Sequence, residues 1–119
     1  MPPEKFRVAL IQMSCGHEPE QNLAKALERI ADAAGRGAQV VCLPELFQTQ
    51  YFCQREDHAL FDLAEPIPGP TTEKLSDAAR KNGVVLIASL FEKRAAGVYH
   101  NTAAIFDADG SLRGLYRKM

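Results

Sequence analysis

The stretch Val40-Val41-Cys42-Leu43-Pro44-Glu45-Leu46-Phe47 decides how the chain is read. Its first four residues are a continuous apolar run with no room for polar alternation, the pattern of a strand covered on both faces of a sheet. Pro44 breaks the run, and Glu45 stands two residues beyond its end. In open α/β sheets ligands bind in the groove past the carboxyl ends of the strands, so a carboxylate at this place is a candidate functional group. With Leu43, Leu46 and Phe47 around it, Glu45 is expected to be desolvated. Its pKa would then rise, and it would serve as a general base near neutral pH. Position alone leaves a second reading open, a solvated or helix-capping glutamate after a strand.

Working outward, residues 6–13 form a short, mostly apolar run, best read as another buried strand. Cys15-Gly16-His17-Glu18 interrupts it, and Pro19 suits the first turn of a helix, where a missing N–H costs nothing. Leu23, Ala26, Leu27, Ile30, Ala31 and Ala34 recur at helical spacing as one apolar face. Gly35 and Gly37 end that helix. Strand, helix and strand with short links make a βαβ unit. On the other side, residues 44–70 form a long loop holding Tyr51, Phe52, His58 and Phe61, with a helical turn expected over 57–64. Glu65-Pro66-Ile67-Pro68-Gly69-Pro70 reads as a rigid linker. A helix is then expected from Thr71 or Thr72 to Asn82-Gly83, with Leu75, Ala78 and Ala79 inward. Residues 84–91 and 98–106 read as strands, 107–110 as a turn, and 111–118 as the returning hairpin partner. The order β-α-β-loop-α-β-β-β predicts one α/β unit over residues 1–119, with a mixed sheet, parallel first and antiparallel at one edge.

A length of 119 residues fits one domain at most. At 46% hydrophobic and 24% charged residues the chain is too apolar to be disordered. Its formal net charge is −1 with lysines and arginines scattered, which excludes a basic stripe for nucleic acid and a polybasic membrane patch. The most apolar stretch, 84–91, is far too short to span a membrane, and the first residues lack a signal-peptide pattern. A cytoplasmic location is expected. Three cysteines and three histidines show neither a Cys-x-x-Cys pair nor zinc-ligand spacing, so reduced thiols and no metal are expected.

Lys118 is the second candidate. Counting by twos from the hairpin turn, Leu112, Gly114, Tyr116 and Lys118 share one face; Arg113, Leu115, Arg117 and Met119 share the other. Neither face is purely apolar, so the direction of Lys118 stays open. A buried lysine would suit a developing oxyanion; a surface lysine beside Arg117 is the plainer reading. Asn101 could donate a hydrogen bond in a pocket, but such residues more often satisfy backbone at a strand irregularity. His100 fits a surface or satisfied core histidine. Neither is assigned a catalytic role.

Taken together, Leu43-Pro44-Glu45-Leu46-Phe47 and Tyr116-Arg117-Lys118-Met119 resemble the nitrilase superfamily of carbon–nitrogen hydrolases. The likeness runs from Val8-Ala9-Leu10-Ile11-Gln12 through Gly37-Ala38-Gln39-Val40-Val41 to the last residue. It implies a Glu–Lys–Cys triad, with Glu45 as general base and Lys118 stabilising the oxyanion. The family places its cysteine on a later strand end, downstream of the lysine, so Cys15, Cys42 and Cys53 do not match it. The chain is therefore expected to be the N-terminal part of a four-layer α-β-β-α sandwich and inactive alone. The resemblance also implies covalent catalysis through an acyl-enzyme, no metal or organic cofactor, and homo-oligomers for the full-length enzyme.

Residues 45–54 and 61–70 look most like N-carbamoylputrescine amidases, which form putrescine, carbon dioxide and ammonia. Asp57, Asp62 and Glu65 are acidic candidates for a distal substrate ammonium, or else solvated loop charges. Related subfamilies cleave N-carbamoyl amino acids, β-ureidopropionate, simple amides or nitriles. The alternative of another class is a truncated, non-catalytic module that binds a partner through its unpaired strand edge.

Overall fold

The computed structural model describes residues 5–48 and 62–119. Five strands form one sheet in chain order: β1 (Val8–Leu10), β2 (Val40–Cys42), β3 (Val85–Ala95), β4 (Val98–Phe106) and β5 (Leu112–Arg117). β1, β2 and β3 run parallel, while β4 and β5 turn back antiparallel. Helices α1 (Pro19–Gly35) and α2 (Pro70–Asn82) connect the parallel strands. This is the mixed α/β arrangement expected from the apolar runs. The expected helical turn over 57–64 and the residues Tyr51, Phe52, Cys53, Asp57, His58 and Phe61 lie outside the described residues, apart from 62–64.

Each helix is set by its ends and its apolar face. α1 starts on Pro19 and buries Leu23, Ala26, Ile30 and Ala33. Ala31, expected inside, is exposed, and Ala33 takes the inward place because the face runs on from Ala26 and Ile30. α2 starts on Pro70, just before the expected Thr71 or Thr72, since a first-turn proline needs no donor. Gly69 has no side chain to cap the helix. Thr72 Oγ1 instead accepts the Gly69 N–H at 2.7 Å and donates back to the Gly69 carbonyl at 2.9 Å. α2 ends at Gly83, whose φ of 64° is the left-handed conformation that favours glycine. Leu75, Ala78 and Ala79 are buried as expected.

The two faces of the sheet differ. Val41, Leu86, Ala88, Leu90, Ala104 and Phe106 lie under the helices, packed with Leu23, Ile30, Leu75 and Ala79. On the other face Val40, Cys42, Val85, Ile87, Ala103 and Ile105 are only half-buried, and Val8, Leu10 and Tyr116 are exposed. The expectation of strands covered on both sides is thus met on one side by the described residues. Correspondingly, β1 is a three-residue edge strand rather than a buried strand over 6–13. Ala9 faces the core, but Val8 and Leu10 point to the open face.

β3 outruns its expected end by four residues, because Glu92 and Lys93 keep pairing with His100 and Tyr99 before the register shifts. Beyond the end of β2, Glu65 takes the vacated place beside β3: its N–H reaches the Phe91 carbonyl, and its carbonyl receives the Lys93 N–H. β4 and β5 are joined by the turn at 107–110, held from below by Ser76 of α2, whose hydroxyl donates to the Gly110 carbonyl. Among the described residues no helix is long and apolar enough to cross a membrane.

Candidate active site

The chain leaves β2 into a tight turn at 45–48. Leu46 has φ 48°, a left-handed conformation that side chains rarely adopt. The turn drives Leu46 and Phe47 into the core, at 3% and 0% exposed, and leaves Glu45 outside on the open face of the sheet. There Glu45 meets Lys118: Nζ lies 2.9 Å from Oε1. Asn101 Nδ2 donates to the same oxygen at 2.6 Å. The sequence-predicted pair, 73 residues apart in the chain, is therefore brought together.

Strand alternation settles the direction that the sequence left open. In β5 Arg117 pairs in register with Thr102 and turns to the helix side. Lys118, the next residue, takes the opposite face and ties its own N–H to the Asn101 carbonyl at 2.9 Å. On the helix side Arg117 Nε and Nη2 fork onto the Glu92 carboxylate at 2.8 and 3.0 Å. Thr102 Oγ1 donates to that carboxylate at 2.8 Å. Glu92 is 1% exposed. Sequence reasoning missed this buried pair, although Glu92 continues the inward parity of Leu86, Ala88 and Leu90.

The electrostatics correct one expectation. Glu45 was expected to be desolvated with a raised pKa. Instead its side chain is 46% exposed. The hydrogen bond from Lys118, and next that from Asn101, hold its carboxyl below the ordinary value against a smaller opposing effect of burial. Apolar neighbours in sequence do not surround it, because the turn at Leu46 sends them the other way. Glu45 is thus ionised at neutral pH. Glu92 is also held low, chiefly by Arg117, with burial opposing and Thr102 helping; Glu92 in turn raises Arg117.

Other expectations shift as well. Asn101 does not serve irregular backbone with its side chain; that side chain bridges Glu45 and Ser89, whose hydroxyl donates to Asn101 Oδ1 at 2.9 Å. His100 is neither a surface nor a fully satisfied histidine: its Nε2 is buried and finds no hydrogen-bond partner among the described residues. Asn22, on the inner face of α1, is 2% exposed. It binds Gly16 N and O at 2.8 and 2.9 Å and the Gln48 carbonyl at 2.8 Å, joining the loop after β1 to the loop that carries Glu45. Its spacing with Ala26 and Ile30 was the available signal.

Of the acidic loop candidates, Asp62 is exposed. Glu65 is not a free loop charge but caps α2, accepting from Thr71 N at 3.3 Å and from Thr71 Oγ1. Cys15 donates to the Phe47 carbonyl at 3.0 Å, and burial pushes its thiol up against a smaller pull from Lys25. Such a thiol is a poor nucleophile. Cys42, expected as a buried hydrophobe, is half-buried. Among the described residues no three His, Cys, Asp or Glu side chains cluster to hold a metal.

Comparison with known proteins places this geometry. The family profile described as carbon–nitrogen hydrolase matches residues 7–119. An N-carbamoylputrescine amidase of Solanum lycopersicum is 39% identical over 93% of this chain and 37% of its own length. A citrullinase of Francisella tularensis is 40% identical over 95% of this chain and 40% of its own. The omega-amidase NIT2-B of Xenopus laevis is 38% identical over 97% and 40%. The crystal structure of a carbon-nitrogen hydrolase from Helicobacter pylori G27 superposes with a TM-score of 0.90 at 37% identity, over 96% of this chain and 39% of that one. The chain spans about two-fifths of the length of these relatives. With a profile match over nearly all its residues, the chain belongs to the carbon–nitrogen hydrolase family.

Proposed function

We propose that the protein hydrolyses a linear ureide, N-carbamoylputrescine in the first place, to putrescine, carbon dioxide and ammonia. The observation that carries this reading is the meeting of Lys118 Nζ and Glu45 Oε1 at 2.9 Å beyond the strand ends. Support for the substrate comes from the wording of residues 45–54 and 61–70, and from relatives named for a carbamoylated diamine and for citrulline, both ureides. An omega-amidase among the relatives makes a simple terminal amide the second reading.

In the proposed reaction Glu45 accepts the proton of a cysteine thiol that the family places downstream of Lys118. The thiolate adds to the ureido carbon, and the Lys118 ammonium faces the oxyanion that forms. The tetrahedral adduct collapses, the proton held by Glu45 goes to the departing amine, and a carbamoyl thioester remains. Glu45 then takes a proton from water, whose oxygen attacks the thioester carbon. The thiol is released with carbamic acid, which breaks down to carbon dioxide and ammonia. Oε1 is occupied by Lys118 and Asn101, which leaves Oε2 to carry the proton. The mechanism asks for no metal or organic cofactor. A cytoplasmic homo-oligomer is the assembly we expect of the full-length enzyme.

The test is ammonia release by the full-length protein from N-carbamoylputrescine, citrulline and a linear terminal amide, with Glu45→Gln alongside. We expect N-carbamoylputrescine to show the highest kcat/KM, and Glu45→Gln to lose about 10²–10⁴-fold in kcat with its fold intact. Preference for the amide would replace the substrate assignment. A Glu45→Gln enzyme running at wild-type rate would remove Glu45 as the base.

A further inference from the structure

We propose that Ser89 and Asn101 are positioning residues that fix the Glu45 carboxylate through a closed ring of directed hydrogen bonds, a proposal that rests on Glu45 being the base. The ring begins at the backbone N–H of Leu46, which donates to Ser89 Oγ at 3.0 Å. With its oxygen so engaged, the Ser89 hydroxyl turns its hydrogen to Asn101 Oδ1 at 2.9 Å. Asn101 Nδ2 then donates to Glu45 Oε1 at 2.6 Å. The first and last members, Leu46 and Glu45, are consecutive, so the ring closes through one peptide unit.

The direction of each bond matters. An asparagine amide can present either its oxygen or its NH2 to a neighbour. Oxygen toward a carboxylate would be repulsive and would leave Glu45 with Lys118 alone. Ser89 removes that choice, because its hydrogen must find an acceptor and Oδ1 is the one it meets. Ser89 can do this because of register: it stands opposite Ala103 on β4, and Asn101 stands opposite Phe91 on β3. The two side chains are therefore diagonal neighbours on the open face, within reach of each other.

The same ring acts on the backbone. Leu46 holds a φ of 48°, a conformation that persists only where the surroundings over-determine it. The Ser89 oxygen receives the N–H that this turn presents, and the burial of Leu46 and Phe47 holds the other side. One serine thus stabilises the turn that aims Glu45 and the amide that orients its side chain. Lys118 supplies charge to the same carboxylate, while Ser89 and Asn101 supply direction.

The test uses the full-length protein with Ser89→Ala, Ser89→Thr, Asn101→Ala and the Ser89→Ala/Asn101→Ala double variant. Turnover is measured together with NMR titration of the Glu45 side-chain carboxyl, assigned through its loss in Glu45→Gln. For Ser89→Ala we expect kcat to fall about tenfold to a hundredfold, with KM within about twofold of wild type. The Glu45 carboxyl should titrate at higher pH than in the wild type. Ser89→Thr, which keeps the hydroxyl, should restore both. In the double variant the loss should fall short of the sum of the two single losses, as for residues acting partly through one another. Wild-type titration of Glu45 in Ser89→Ala, or full additivity in the double variant, would overturn the ring. If the wild-type protein turns over no ureide or amide, the hydrolase reading fails by itself, and the carboxyl titration still decides the ring.

Discussion

Two of the carboxylate–cation pairs among the described residues draw their cation and their second donor from adjacent positions, 117 and 118 and 101 and 102, and they have opposite characters. Glu92, Arg117 and Thr102 lie on the helix side of the sheet; the carboxylate side chain is 2% exposed and held by a two-pronged guanidinium that is itself 32% exposed. Glu45 and Lys118, with Asn101, lie on the open face at 46% and 60% exposed, with a single-pronged ammonium. Arg117 and Lys118 are adjacent, as are Asn101 and Thr102; strand alternation alone sends one of each to either side. A planar fork suits a permanent clamp, because it fixes the carboxylate in two directions and stays charged. A mobile ammonium on one oxygen leaves the other oxygen to chemistry. The same charge combination serves architecture where water is excluded and suits reaction where the face is open.

This contrast can be broken by removing the clamp. Glu92→Ala removes the buried carboxylate on which Arg117 and Thr102 converge, and we expect a clear loss of stability, read as a fall in Tm of several degrees. Turnover of the molecules that remain folded should change far less than in Glu45→Gln. Equal damage to kcat and Tm would mean that the two pairs are one unit.

Acid sharpens the comparison. Both glutamates are held below their ordinary value of 4.5 in the folded protein. A lowered carboxylate contributes stability above its unfolded pKa and loses it as pH falls through the folded one. Stability should therefore decline as pH drops below about 4.5, and Glu92→Gln should flatten that decline more than Glu45→Gln, because solvent screens the exposed pair. A steeper flattening in Glu45→Gln would reverse the assignment of clamp and reactive pair. The smallest effect is expected at Arg36 and Asp32, 79% and 58% exposed on α1, where Arg36→Ala should leave Tm unchanged within error.

The elements themselves were legible. Apolar runs gave the strands, and Pro19, Asn82 and Gly83 bounded the helices, because backbone hydrogen bonding and burial are local demands. Glu45 and Lys118 were legible only as a pair of motifs; neither position spoke for itself. What escaped was whatever depends on register between distant segments. The diagonal between Ser89 and Asn101, the fork of Arg117 on Glu92, and the stitch that Asn22 makes between two loops each need partners many residues away. The charge state of Glu45 escaped for a different reason. Burial was inferred from its apolar neighbours in sequence, and a single left-handed residue at Leu46 separated them in space.

The hairpin turn at 107–110, braced by Ser76 of α2 against Gly110, lies at the opposite end of β5 from Lys118. It nevertheless sets which cation arrives on which side. Inserting one residue there would carry the Arg117 guanidinium toward Glu45 and Tyr116 toward Glu92, and deleting one would carry the Lys118 ammonium toward Glu92 and Met119 toward Glu45. The length of this turn is therefore tied to which side chain meets which carboxylate at the far end of the ribbon.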